Sequence, residues 1–349
     1  MKTKLAFCLL LFAFLLSSCG GDKFPLPQPV DDSGGTSAVS DTTYLQLQPV
    51  WGAETGYGFK QPQDVLLGRE PLVYVADTQN DRIVMFDLSG NILGESQAID
   101  NPVALTQDSK LNLLIVTDRN KIYRVNLTAV QHRIAEAPVE LVFNEIDNPD
   151  RRFTGIAAVL ASLQGRALIN YIVTATGNDK KDNQILVFPE DFNVRTPDAL
   201  SLEPNGLGIL SASLPSGITF LRDFSGDFIF CMTGENSFKV QWITSGQFGI
   251  IPRLNPGLGN FDIFAAGKFS MPEDVTVDAE GNIYVIDADL HYLFKFSATG
   301  DELQSFGGAG TGEKQFQQPH GVAFFDKTLY VADTGNNRIV RFRLSTDVD

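Results

Sequence analysis

Two stretches, YVADTGNNRIVRF at residues 330–342 and YVADTQNDRIVMF at 74–86, write nearly the same thirteen residues at opposite ends of the chain. Each reads as an apolar run with strand-like composition, a turn of Thr, Gly, Asn and Asp, and a second apolar run. A unit that recurs fixes the architecture before any single element does. Working outward, the fullest copy is QPHGVAFFDKTLYVADTGNNRIVRF, 318–342. Four more align on it: 61–86, 101–125, 214–243 and 271–296, while 153–188 fits loosely. Each holds three apolar runs divided by turn signals, and a fourth follows some of them, as in SGNILGES at 89–96 and TGDELQSFG at 299–307. Four antiparallel strands per unit make one blade of a β-propeller, so six units predict an all-β, six-bladed β-propeller.

The last unit stops after its third strand, at RIVRFRLSTDVD. YLQLQPVWG, 44–52, precedes the first unit as DELQSFG, 301–307, precedes the last. An N-terminal strand is therefore expected to complete the last blade and close the ring, which protects edges that an open sheet would expose. The two best copies become neighbours in space.

The pattern Pro-x-Gly or Pro-x-Asp, then Val or Ile, then Tyr-Val-Ala-Asp, then Asn-x-Arg-Ile, then Phe resembles the NHL repeat. The sixth unit is nearly a consensus copy, the first and fifth match well, the second moderately, and the third and fourth poorly. The resemblance implies a six-bladed propeller that serves as a binding platform in the bacterial envelope, with a few relatives acting as metal-dependent lyases or hydrolases.

Ahead of the propeller, Lys2 and Lys4 precede an apolar run, Leu5 to Leu16, ending in LSSCGG. Residues 1–18 read as a secretory signal, too short to span a bilayer. Ser17 and Ser18 before Cys19 resemble the bacterial lipobox, which implies acylation of Cys19 and a lipid-anchored protein, expected at the outer membrane. Residues 19–43 are rich in Gly, Pro, Ser and Asp and read as a flexible tether, and the propeller is assigned to 44–349. Cys8 leaves with the signal and Cys19 takes lipid, so Cys231, in the apolar run DFIFCMT, stands alone and reads as core. With 27 Lys and Arg against 42 Asp and Glu, the net charge is −15. This argues against nucleic acid as a partner.

Asp77, Asp118, Asp287 and Asp333 recur at one blade position, with Arg82 and Arg338 following in two blades. One residue type repeated in every unit performs a structural task, because a catalytic site needs different groups converging once. Asymmetry is more informative. After the repeat proline the six units hold Gln63, Val103, Thr154, Ser216, Glu273 and His320, followed by Asp64, Ala104, Gly155, Gly217, Asp274 and Gly321. Units 5, 6 and 1 are consecutive, so Glu273, Asp274, His320, Gln63 and Asp64 form a candidate site at the channel mouth. Their oxygens and nitrogen would suit a divalent metal such as calcium. The lyases that the repeat resembles use several histidines on inner strands, whereas this chain has His132, His291 and His320 alone.

FGGAGTGEKQF, 306–316, has the glycines of a phosphate loop without a following helix, so it reads as a connection between blades. The 26 Phe read as inter-blade core. The expected function is an envelope binding module for a protein, peptide or glycan; the alternative is a divalent-metal-dependent lyase or hydrolase at the channel mouth. The longer middle units, 126–215 and 244–268, are the expected partner surface because insertions often map to a binding face.

Overall fold

Alternating apolar residues and closely spaced turns fold this chain, in a computed structural model, into six four-stranded antiparallel sheets. The structure describes residues 42–163, 166–221, 226–246, 249–255, 257 and 263–347; residues 1–41, to which the expected signal, Cys19 and nearly all of the expected tether belong, lie outside them. Blade 1 is built from Pro62–Leu67, Leu72–Asp77, Arg82–Asp87 and Ile92–Glu95, and blade 2 from Pro102–Gln107, Asn112–Thr117, Lys121–Asn126 and Val139–Asn144. Arg152–Leu163, Arg166–Thr176, Gln184–Pro189 and Asp198–Ala199 form blade 3. Blade 4 comprises Pro215–Phe220, Phe228–Met232, Val240–Gly246 and Gly249–Pro252; blade 5 comprises Pro272–Val277, Ile283–Asp287, Tyr292–Phe296 and Glu302–Gly307. Blade 6 takes Val322–Phe325, Thr328–Asp333 and Arg338–Leu344 from the C-terminal end. Its fourth strand is Tyr44–Trp51, antiparallel to Arg338–Leu344 with Tyr44 opposite Leu344 and Leu47 opposite Arg341. The ring closes as the sequence predicts.

The innermost strands of successive blades touch one another all the way round, from blade 1 through blade 6 and back. Second strands such as Val73–Asp77 and Leu329–Asp333 are buried throughout, because they lie between neighbouring blades. Six apolar clusters form, one at each seam between blades. Phenylalanines fill several of them, for example Phe143 edge-on to Phe188 at 4.8 Å between ring centroids. Cys231 is fully buried in the cluster between blades 4 and 5, and burial pushes its thiol well above the ordinary range.

Antiparallel order fixes two faces. Among the described residues, the turns from first to second and from third to fourth strand emerge on one, here the hairpin face. The second-to-third turns and the connections between blades emerge on the other, the mouth face, where each innermost strand begins. The insertions divide between them: 127–138 joins the third and fourth strands of blade 2 on the hairpin face, while the connections that leave Ala199 and Pro252 start from the mouth face. The expected single insertion-bearing surface is thus split by topology. No helix among the described residues is long and apolar enough to cross a membrane.

The repeated aspartates act structurally in three blades. Asp77 accepts from Lys60 N, Asn80 Nδ2 and Arg82 Nε; Asp333 accepts from Gln317 N, Asn336 Nδ2 and Arg338 Nε. Asp287 binds the backbone N–H groups of Ser270, Met271, Asp289 and Leu290. Asp118 departs from the expectation. Thr117 faces Pro102 where Asp77 faces Pro62, which moves Asp118 one place along and out into solvent. The turn that follows is one residue shorter, 118–120 against 78–81, and the nearest cation to Asp118 is Arg119, whose Nε stands 3.9 Å away at the surface.

Candidate functional site

In blades 1, 2 and 5 the residue after the repeat proline falls at a β-bulge. Pairing jumps from Pro62–Asp77 to Asp64–Ala76, from Pro102–Thr117 to Ala104–Val116 and from Pro272–Asp287 to Asp274–Ile286, leaving Gln63, Val103 and Glu273 without cross-strand partners. Blade 3 does the same at Thr154. A bulge turns its extra residue away from the regular alternation, and here it turns toward the axis. All five candidate residues, Gln63, Asp64, Glu273, Asp274 and His320, line an axial cavity of ≈ 430 Å³ to which every blade contributes.

Most polar groups in this layer hold neighbouring blades together. Thr154 Oγ1 donates to Pro215 O at 2.7 Å and Ser216 Oγ to Pro272 O at 2.8 Å. From the second-to-third turns, Thr78 and Thr334 donate to Pro102 O and Pro62 O at 2.8 and 2.7 Å. Asp64 Oδ2 accepts from Leu105 N at 2.7 Å, and Asp274 Oδ2 from Val322 N at 2.9 Å. Glycine completes the seams: a Cβ on Gly217 would stand 2.6 Å from Asp274 Cα, and one on Gly321 2.7 Å from Asp64 Cα. Sequence reading missed the threonine locks, whose signal was the Thr after each Ala-Asp in units 1 and 6.

Gln63, Glu273 and His320 remain. Among the described residues, the Gln63 amide and the Glu273 carboxylate make no hydrogen bond, and His320 Nδ1 meets Thr334 Oγ1 at 3.3 Å. His320 Nε2 stands 3.9 Å from Glu273 Oε1, with the two side chains 30 % and 20 % exposed. They open onto a narrow channel while protein surrounds them, so burial governs their titration. Burial, aided by the charge of Asp287, pushes Glu273 up to about 7. Burial alone takes His320 down to about 4, so at neutral pH the imidazole is uncharged and the pair is not an ion pair. Burial raises Asp64 to about 6 against the pull of its N–H donors, and raises Asp274 well above the carboxylate range with the charge of Asp64 adding to the effect.

No group of three or more His, Cys, Asp or Glu among the described residues is placed to share a metal ion. Calcium takes six to eight oxygens. At the mouth, two of the three carboxylates are engaged by backbone N–H groups, and only Glu273 and the Gln63 amide are free to turn. The residues present do not fit a protein-liganded divalent ion. The other two histidines lie apart from this layer, His291 in a turn accepting from Gln318 N and His132 beside Glu70 on the hairpin face.

Comparison with known proteins agrees with this architecture. The NHL repeat family matches residues 316–342. A human protein, NHL repeat-containing protein 3, is 30 % identical over 171 residues, covering 47 % of this chain and 46 % of its own, so the chain spans about half the length of that relative. A gluconolactonase from Xanthomonas campestris superposes with a TM-score of 0.58 at 12 % identity, over 89 % of this chain and 97 % of its own. Regucalcin, a calcium-binding protein from Agrobacterium tumefaciens, does so with 0.56 at 14 %, over 81 % and 90 %. Identities this low establish the fold alone.

Proposed function

Starting from a chain that is an NHL-repeat six-bladed β-propeller, we propose that it is a binding module whose protein, peptide or glycan partner docks on the mouth face. The partner presents a polar group to Gln63, Glu273 and His320. One observation carries the reading: of the six residues at this blade position, these three keep polar ends that no seam uses, at the head of a concave channel. Convergent unpaired polar groups in a cavity favour ligand binding. The set both accepts and donates, which suits the hydroxyls and amides of a glycan or peptide.

The test is a photo-crosslinking residue at Gln63 of the full chain in its own cells, compared with one at Lys110 on the hairpin face. Adducts specific to position 63, lost in a Glu273→Gln, His320→Ala background, support the reading. Equal adducts at both positions, or none, sink it.

A second reading, a divalent-metal-dependent lyase or hydrolase, draws on one observation: Glu273 held near 7 can give or take a proton at neutral pH beside an uncharged His320. Calcium is the ion it would call for, with the regucalcin likeness as its support. The donor set described above does not fit, so no step is derived through a metal. Metal analysis of chelator-free protein against Glu273→Ala, His320→Ala decides it; near-stoichiometric metal lost in the variant would favour the enzyme.

The same proposal places the protein in the cell envelope, lipid-anchored through Cys19 and tethered by residues 19–43. Cys19→Ser is expected to move the protein from the membrane fraction to the soluble one; unchanged partitioning rejects the anchor.

A further inference from the structure

In a chain of net charge −15, two arginines without a carboxylate partner stand side by side at the seam between blades 6 and 1. Arg341 and Arg343 are two residues apart on Arg338–Leu344, so they share a face. Cross-strand register gives Arg341 the neighbours Leu47 and Tyr330, and Arg343 the neighbours Leu45 and Thr328. Among the described residues neither arginine forms a salt bridge, whereas Lys327 close by is paired with Asp347 at 2.9 Å.

Arg341 is 7 % exposed and its Nε is buried with no hydrogen-bond partner. One amino group donates to Pro49 O at 3.0 Å, and the guanidinium lies over the Trp51 ring at 4.5 Å. Arg343 donates to Thr328 Oγ1 at 2.9 Å and, more weakly, to Asp326 O. Both line a cavity of ≈ 150 Å³ with Leu47, Leu88, Tyr330 and Asp326. A guanidinium taken out of water without a counter-ion is costly, and the ring and one carbonyl offset only part of that cost. Burial accordingly lowers the Arg341 pKa.

We propose that this cavity is an oxyanion site that takes a phosphate group, whose oxygens satisfy the orphaned Nε of Arg341 and neutralise the adjacent charge of Arg343. Paired guanidiniums match the oxygens of phosphate, and a charge-assisted bond to a buried fork is among the stronger polar contacts. The site lies on the hairpin face, where the chain enters blade 6 at Tyr44, and is distinct from the channel mouth on the opposite face. The phosphate is either a free ion or the head group of a lipid.

Phosphate binding to the full chain is measured by isothermal titration calorimetry with chloride-matched controls. The 15N–1H resonance of the Arg341 guanidinium is followed in parallel. Saturable binding is expected, with a shift of that resonance, and Arg343→Gln should weaken it at least about tenfold. Arg343 is the safer variant because it is less buried than Arg341. Vesicles of phosphatidylglycerol and of phosphatidylcholine separate the sources. Capture by the former, competed by inorganic phosphate and lost in Arg343→Gln, assigns a lipid head group; binding of phosphate with no vesicle capture assigns the free ion. The proposal is overturned if folded protein binds neither, or if Arg343→Gln and Arg341→Gln leave binding unchanged.

Discussion

His320 and Glu273 face each other across the seam of blades 5 and 6 at 3.9 Å, with burial driving the imidazole to its neutral form and the carboxyl toward its protonated one. Each is pushed away from charge by the same low-dielectric surroundings. An opposite-charge pair would have moved both the other way.

That relationship has a pH signature. Glu273 titrates near 4.5 when unfolded and about 7 when folded, so the folded state binds the extra proton between these values and stability falls as pH rises through them. His320, at 6.5 unfolded and about 4 folded, has the opposite sign, and stability rises from about 4 to 6.5. The two effects nearly cancel in the wild type. Glu273→Gln should therefore gain stability relative to wild type as pH goes from 4.5 to 7, by at most about 1.4 kcal/mol per pH unit, and level off above. Urea unfolding across that range checks it; a pH-independent difference would mean that Glu273 is not raised.

The buried ion pair Asp333–Arg338, 2.7 Å apart with Asp333 wholly shielded, should be costly to break from one side. Asp333→Ala is expected to lose about 3–5 kcal/mol, whereas Asp118→Ala should change stability by under about 0.5 kcal/mol. Chemical denaturation of both variants tests the division between them, and equal losses would contradict it.

Seam glycines make a third case. Gly217→Ala would set a Cβ 2.6 Å from Asp274 Cα, a backbone clash that no rotamer relieves, at a cost of about 1–3 kcal/mol. Gly208, with nothing within 4 Å of its would-be Cβ, is the control and should accept alanine with little change in melting temperature.

Ring closure depends on Tyr44–Trp51. Trp51 is fully buried between blades 6 and 1, stacked on Phe86 at 5.1 Å. Trp51→Ala is expected to cost about 3–5 kcal/mol. A chain beginning after Trp51 leaves Arg338–Leu344 as a bare edge and should aggregate. Size-exclusion chromatography reads this; a monomeric, equally stable truncation would show that the strand is dispensable.

The fold was legible because repeat, strand alternation and turn chemistry all agree, and the missing fourth strand of unit 6 had one apolar candidate, at 44–52. The site was legible as a position, the residue after each repeat proline, since proline and the bulge recur while the next side chain does not. Which of those six side chains is free could not be read along the chain. Thr154 and Ser216 look as available as Gln63 until the carbonyls of Pro215 and Pro272 arrive from the next blade.

By itself the sequence determined six blades, their closure by the N-terminal strand, and the structural role of the repeated aspartates in blades 1, 5 and 6, all of which follow from local pattern. Tertiary structure alone decided the rest. A slip of one place and a turn one residue shorter put Asp118 in water, and inter-blade contacts set the protonation of Glu273 and His320. Leu47 lies beside Arg341 because ring closure joins strands from opposite ends of the chain. Desolvation and cross-strand register depend on what packs against a residue, and that is a property of the closed ring.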